Sequence, residues 1–236
     1  MDFVETSRGR LRIEALQPPP HADAPVVVVV NGVFPSRDYL RDFRVEGAGA
    51  TLVWLPAMSG PGFARYDLPL ISEALGEAVE RLHGGRRVVL GGFSTGASAV
   101  LGVATDSVRA WVAVEPFLDA AGLWPLQRFL ETMAGRLHPE QMRFVAEALG
   151  LGPAATAPRR FEVRAGQPLH VVAGDRPLES PALGPGWPSL TSAADREALA
   201  AAGARLWTGR GGHGIYDTDR PTVMAAFEEA IRQAAA

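Results

Sequence analysis

The sequence contains no cysteine, and all 23 of its basic residues are arginine, so lysine is absent as well. Without cysteine there is no disulfide, thiolate zinc site, iron–sulfur cluster or cysteine nucleophile. Without lysine there is no Schiff-base amine, no pyridoxal phosphate anchor and no P-loop lysine for a nucleotide phosphate. Long apolar runs are also missing: the longest, Val26–Val30, is far too short to cross a bilayer. The first residues (Met1, Asp2, Phe3, Val4, Glu5) lack the basic and apolar regions of a signal peptide, so a cytoplasmic location is expected. Charge of one sign is not in excess either. A net charge of -3 leaves no electrostatic footprint for nucleic acid or an anionic membrane, and neither is expected as a partner. Catalysis in such a chain must use hydroxyls, carboxylates, histidines and backbone amides, with no metal or cofactor expected.

What is present is a chain of 236 residues, 47% hydrophobic, enough for one α/β domain or one carrying an insertion. Phe3–Thr6 and Leu11–Leu16 read as an N-terminal hairpin, followed by an extended link through Pro18, Pro19, Pro20 and His21. The valine run after Pro25 offers apolar side chains to both faces, the mark of a buried parallel strand. Further strands are expected at Thr51–Leu55, Arg87–Leu90, Val108–Val114, Leu169–Ala173 and Arg205–Trp207. Between them lie helical patterns, one from Asp67 to the Gly84-Gly85 stop with Ile71, Ala74, Leu75, Ala78 and Leu82 as its stripe. Others fall near Ala193–Ala202 and from about Pro221. This alternation predicts an α/β three-layer sandwich with a mostly parallel central sheet.

The alternation breaks once. Leu126, Phe129, Leu130, Met133 and Leu137, then Met142, Val145, Ala146 and Leu149 after His138-Pro139, give two helical patterns with no strand between them. These are expected to form a lid over the C-terminal edge of the sheet, the alternative being a helical hairpin on its flank. The division that follows is a core of residues 1–116 and 162–236 with a helical lid over 117–161.

Gly92-Phe93-Ser94-Thr95-Gly96 matches G-x-S-x-G between an expected strand and an expected helix. The chemistry needs a turn so tight that the serine is held at its apex, with flanking glycines removing the Cβ atoms that would collide. A nucleophilic serine needs a base. Of five histidines, His21, His83, His138 and His170 sit in a link, at helix ends or within a strand and read as structural. His213, in Gly211-Gly212-His213-Gly214 after the last strand, is free to reach the sheet's C-terminal edge.

On these residues the chain resembles an α/β-hydrolase over nearly its whole length, with serine elbow, later acid and last histidine in that family's order. The resemblance implies Ser94 as nucleophile and His213 as general base then acid. It implies an oxyanion hole from the backbone N–H of Thr95 and one from the loop Asn31-Gly32-Val33-Phe34, where Val33 is expected and Phe34 is the runner-up. Asn31, the only asparagine, stands where many members carry histidine. The family commonly places its acid after the strand at Leu169–Ala173, which points to Asp175. Proline occupies the usual acid position there, so Glu115, at the end of the preceding strand, is the alternative, with Glu179 a third choice. Phe34, Met58, Phe93, Trp124 and Phe129 are expected to line a mainly apolar substrate pocket, with Phe63 and Thr95 nearby. The activity implied is cleavage of a carboxylic ester, thioester or lactone through an acyl-enzyme. An acyltransferase, cyclase or lyase on the same fold, or a non-catalytic small-molecule-binding homologue, are the alternatives. The expected partner is a small molecule with an acyl group.

Overall fold

The computed structural model describes residues 2–34, 40–56, 63–133, 135–152, 159–179 and 187–236. An eight-stranded sheet forms the middle layer, in the order β1-β2-β4-β3-β5-β6-β7-β8. The antiparallel hairpin of β1 (Asp2–Thr6) and β2 (Gly9–Gln17) sits at one edge, and β2 pairs antiparallel with β4 (Gly49–Trp54). The remaining pairings are parallel, linking β3 (Val26–Val30), β5 (Val88–Phe93), β6 (Val108–Val114), β7 (Leu169–Gly174) and β8 (Arg205–Gly209).

Strand alternation divides the interior into two cores. In β3, Val26, Val28 and Val30 face one side with α1 (Leu68–His83) and α2 (Thr95–Leu101). Val27 and Val29 face the other, against the C-terminal helix. All five valines are buried, which is why that strand shows no polar alternation in sequence. Burying both faces of such a strand stabilises the fold by about 1.5–3 kcal/mol for each valine-sized side chain, before the entropy of ordering it is subtracted.

The helices follow local rules. Pro69 opens α1 in its first turn, and Arg81 and His83 occupy its last turn, where positive charge suits the helix dipole. The segment expected to depart from the alternation does carry helices: α3 (Trp124–Thr132) and α4 (Pro139–Phe144), the latter running into a π turn over Val145–Leu149. Met133 and Leu137, expected in the first of these, lie beyond its end at Thr132. Helix α5 (Ala193–Ala201) begins at a capping box in which Ser192 Oγ accepts from Asp195 N and Asp195 Oδ2 accepts from Ser192 N. A short α6 (Ile215–Thr218) leads into α7 (Arg220–Ala235), whose Val223, Ala226, Phe227 and Ala230 pack on the second core. Among the described residues no helix is long and apolar enough to cross a membrane.

The expected three-layer sandwich is therefore the fold observed, and its parallel strands all end at one edge. Asn31 follows β3, Ser94 follows β5, Glu115 follows β6, Asp175 follows β7 and His213 lies just past β8. Ligands of open α/β sheets bind in the crevice at such an edge.

Candidate active site

Ser94 occupies a turn that few side chains tolerate. Its φ of 55° and ψ of -124° are an unfavourable backbone geometry, which costs on the order of 1–3 kcal/mol and persists only where the surroundings enforce it. The surroundings do so. Ser94 N donates to Val114 O at 2.9 Å, tying the turn to β6, and Ser94 O accepts from Ser98 N at 3.1 Å. A Cβ on Gly92 would strike the Gly96 carbonyl, and one on Gly96 would strike the carbonyls of Asn31 and Val30. Both flanking glycines are thus required for the turn to close against β3.

Gly32 brings the loop after β3 against the serine: a Cβ there would lie 3.2 Å from Ser94 Cβ and 3.6 Å from its Oγ. Val33 is buried and Phe34 half-buried beside it. Asn31 is fully buried and its Oδ1 accepts from Leu55 N at 2.7 Å, so the amide braces the end of β3 against the end of β4. Its Nδ2 has no hydrogen-bond partner among the described residues.

The carboxylate beside His213 is Glu115. Its Oε2 lies 3.7 Å from His213 Nδ1, an ion-pair rather than a hydrogen-bond distance. Glu115 is 1% exposed and has a φ of 57°, a second left-handed non-glycine residue at the same sheet edge. Three donors converge on it: Gly174 N at 2.6 Å and Ser189 Oγ at 2.9 Å on Oε1, and Leu190 N at 2.7 Å on Oε2. Asp175 is placed differently from expectation. It is exposed, and its Oδ1 accepts from Gly211 N at 2.9 Å, so it holds the histidine loop by its backbone. The physical reason is direction: Asp175 N bonds Gly209 O as β7 continues alongside β8, and its side chain turns to the Gly211 amide. Glu179 is also spent elsewhere, accepting from Ala193 N at the start of α5.

His213 is held by the segment Trp187–Pro188. Its N–H is shared between Trp187 O at 3.2 Å and Pro188 O at 3.1 Å. The Trp187 indole stacks on the imidazole, with centroids 5.8 Å apart and planes 20° from parallel. Gly212 makes this approach possible, since a Cβ there would collide with the Trp187 carbonyl. Ser189 and Leu190, next in the chain, hold Glu115, and Thr191 Oγ1 donates to Pro116 O at 2.7 Å. One run of five residues therefore grips both members of the pair. It has no periodic signal and no motif, so only tertiary structure exposes it.

Of the expected pocket residues, Phe34 and Phe129 come together, their centroids 5.2 Å apart, and Phe129 meets Trp187 edge-on at 5.5 Å. Trp124 is partly exposed, and its Nε1 donates to Leu178 O at 3.3 Å. Phe93 is not a pocket residue. Its ring lies in the second core, 5.3 Å from Tyr216 and 6.2 Å from Phe227, because strand parity gives it the face of Val89. Phe63 is buried beside Tyr66 at 6.3 Å, Thr95 is buried at the first position of α2, and Met58 lies outside the described residues. Among the described residues no group of three His, Asp or Glu is arranged to hold a metal.

No family model and no curated protein matches this chain. Solved structures do. The chain is similar to carboxylesterase CesB from Bacillus subtilis at 16% identity, covering 98% of this chain and 90% of that one, with a TM-score of 0.61. It is similar to proline iminopeptidase from Mycobacterium smegmatis at 12% identity, covering 99% and 98%, with a TM-score of 0.65. It is also similar to Est1E from Butyrivibrio proteoclasticus with ferulic acid bound, at 17% identity over 100% of both chains, with a TM-score of 0.60. At these identities the likeness is one of fold, and it agrees with the strand order and the serine turn: the chain has the α/β-hydrolase fold.

Proposed function

We propose that this chain is a serine hydrolase that cleaves carboxylic esters through an acyl-enzyme on Ser94, with thioesters and lactones in the same substrate class. The observation that carries the reading is the strained Ser94 turn, hydrogen-bonded to the end of β6, beside a buried Glu115 that faces His213. The carboxylesterase and esterase neighbours support ester hydrolysis in general terms.

In this reading Ser94 Oγ attacks the acyl carbon while its proton passes to His213. The tetrahedral oxyanion is met by the N–H groups of Thr95 and Val33, with Phe34 N–H as the neighbouring choice on the same loop. Collapse expels the alcohol, which takes the proton from His213 and leaves the Ser94 ester. Water, deprotonated by His213, then attacks that ester and releases the acid and the free serine. Glu115 fixes the imidazole orientation and stabilises its charged form, the role first expected of Asp175. The separation of 3.7 Å between Glu115 and His213 suits a pair that closes to hydrogen-bond length as charge develops.

Residues 117–161 act as the lid in this reading. Phe129 from α3 meets Phe34 on the oxyanion loop, so these two rings form an apolar wall for an acyl or alcohol group, and Phe129 also touches Trp187 beside the histidine. The buried Glu115 beside His213 favours this reading over a non-catalytic binding role. A panel of p-nitrophenyl esters of rising acyl length tests the proposal. Turnover that disappears in Ser94→Ala supports it, and the absence of turnover across the panel counts against it.

A further inference from the structure

We propose that Trp187 is a positioning residue, holding the His213 ring against Glu115 and tying its orientation to helix α3 through Phe129. This rests on the serine-hydrolase reading and adds a residue to it. The indole lies nearly parallel to the imidazole, 20° apart in plane, so it limits tilting of the ring out of the Glu115 direction. The backbone carbonyls of Trp187 and Pro188 fix the His213 N–H at the same time. The next two residues orient the partner: Ser189 Oγ donates to Oε1 beside Gly174 N, and Leu190 N donates to Oε2, the oxygen 3.7 Å from Nδ1. His213 Nδ1 is buried and makes no hydrogen bond among the described residues, so its alignment there rests on the ring's packing. Stacking against a π face also favours the imidazolium that forms in both half-reactions. Trp187 also meets Phe129, with centroids 5.5 Å apart and planes at 68°, and Phe129 in turn meets Phe34, so a displacement of α3 disturbs a ring contact that helps hold the indole.

A ring that only walled the pocket would influence substrates by size. A ring that positions the base speeds the chemical step for every substrate alike. The test compares wild type, Trp187→Leu and Trp187→Phe on p-nitrophenyl acetate, butyrate and octanoate, together with fluorophosphonate labelling read by intact mass. Trp187→Leu is expected to lower kcat about 10- to 100-fold, the scale of a small misplacement of a catalytic group, with KM changed less than about 3-fold. The loss is expected to be the same for all three esters, labelling should slow in parallel, and Trp187→Phe should recover most of the rate. A loss confined to KM, a loss that varies with acyl length, no recovery with phenylalanine, or no change in kcat would each overturn the positioning role. If Trp187→Leu does not fold, Trp187→Met replaces it with the same expectations. Absence of labelling in wild type would defeat the serine reading itself, whereas wild-type labelling matched by an equally fast Trp187→Leu defeats only the inference about Trp187.

Discussion

Glu115 Oε2 and His213 Nδ1 lie 3.7 Å apart, although the two residues leave the sheet from β6 and β8, with β7 between them. The strand between them contributes no carboxylate to the pair: Asp175, at its end, bonds the Gly211 amide instead. This relationship favours Glu115 as the acid of the proposed triad, and that has a direct consequence. Glu115→Gln should lower kcat by about 10²- to 10⁴-fold, because the imidazole loses the group that orients it and stabilises its charge. Asp175→Asn should stay within about 3-fold of wild type, since an amide oxygen still accepts the Gly211 N–H. Steady-state kinetics on both variants, with thermal melting to confirm folding, decide the assignment; a reversed order of effects refutes it.

The contact between Gly212 and Trp187 predicts a contrast between two glycines of one loop. Gly212→Ala would force its Cβ into the Trp187 carbonyl, whereas Gly214→Ala meets nothing within 4 Å. The first should destabilise by about 1–3 kcal/mol, as overpacking does, and reduce kcat by displacing His213. The second should be close to neutral in both. Denaturant unfolding and initial rates measure the pair, and equal effects would contradict the described geometry.

Much of the fold was legible because its signals are local. The valine run of β3, the stripe of α1 and the G-x-S-x-G turn each report on residues within one or two turns of chain. Strand parity places Phe93 as well: Val89 and Phe93 share a face, and Gly91 between them leaves room for Phe227. The acid was not, because carboxylates end two adjacent strands and side-chain direction at a strand end is set by its neighbours. Trp187 through Thr191 was silent for another reason. Its work is done by backbone carbonyls, one amide, two hydroxyls and a ring, all pointing at residues distant in sequence.

His170 offers a pH test outside the site. Burial holds its imidazole below the ordinary value of 6.5. Trp207 Nε1 lies 3.1 Å from its Nδ1 and Gln233 Oε1 2.9 Å from its Nε2, a pairing that fits the neutral ring with its proton on Nε2. Burial likewise lowers His83. Below pH 6.5 the unfolded chain takes up protons that the folded chain resists, so these groups contribute stability above that pH and lose it as pH falls toward their folded values. Urea unfolding between pH 8 and 5.5 should show stability falling, with a shallower slope in His170→Gln. Identical slopes for the two proteins would count against this linkage.

Helix α4 is fastened to the loop before α1 by a small polar cluster. Tyr66 OH donates to Glu140 Oε2 at 2.6 Å, and Tyr66 N donates to Glu147 Oε2 at 2.8 Å. Arg143 pairs with Glu147 at 2.9 Å and lies over the Tyr66 ring at 4.8 Å. A double-mutant cycle of Tyr66→Phe and Glu140→Gln should give a coupling of about 1–2 kcal/mol, the range for a half-buried bond to a charged acceptor. Hydrogen exchange should rise over Pro139–Leu149 and leave α1 unchanged in Tyr66→Phe. Additive effects with unchanged exchange would show that the cluster does not hold the segment.

Whether Ser94 is an activated nucleophile can be measured directly, without knowledge of the natural substrate. A fluorophosphonate probe added to wild type and to Ser94→Ala, followed by intact mass, reports covalent phosphonylation directly. One adduct per chain in wild type, none in Ser94→Ala, and much slower labelling in a His213→Ala variant is the predicted result. An unlabelled wild type, or a label that persists in Ser94→Ala, would contradict it.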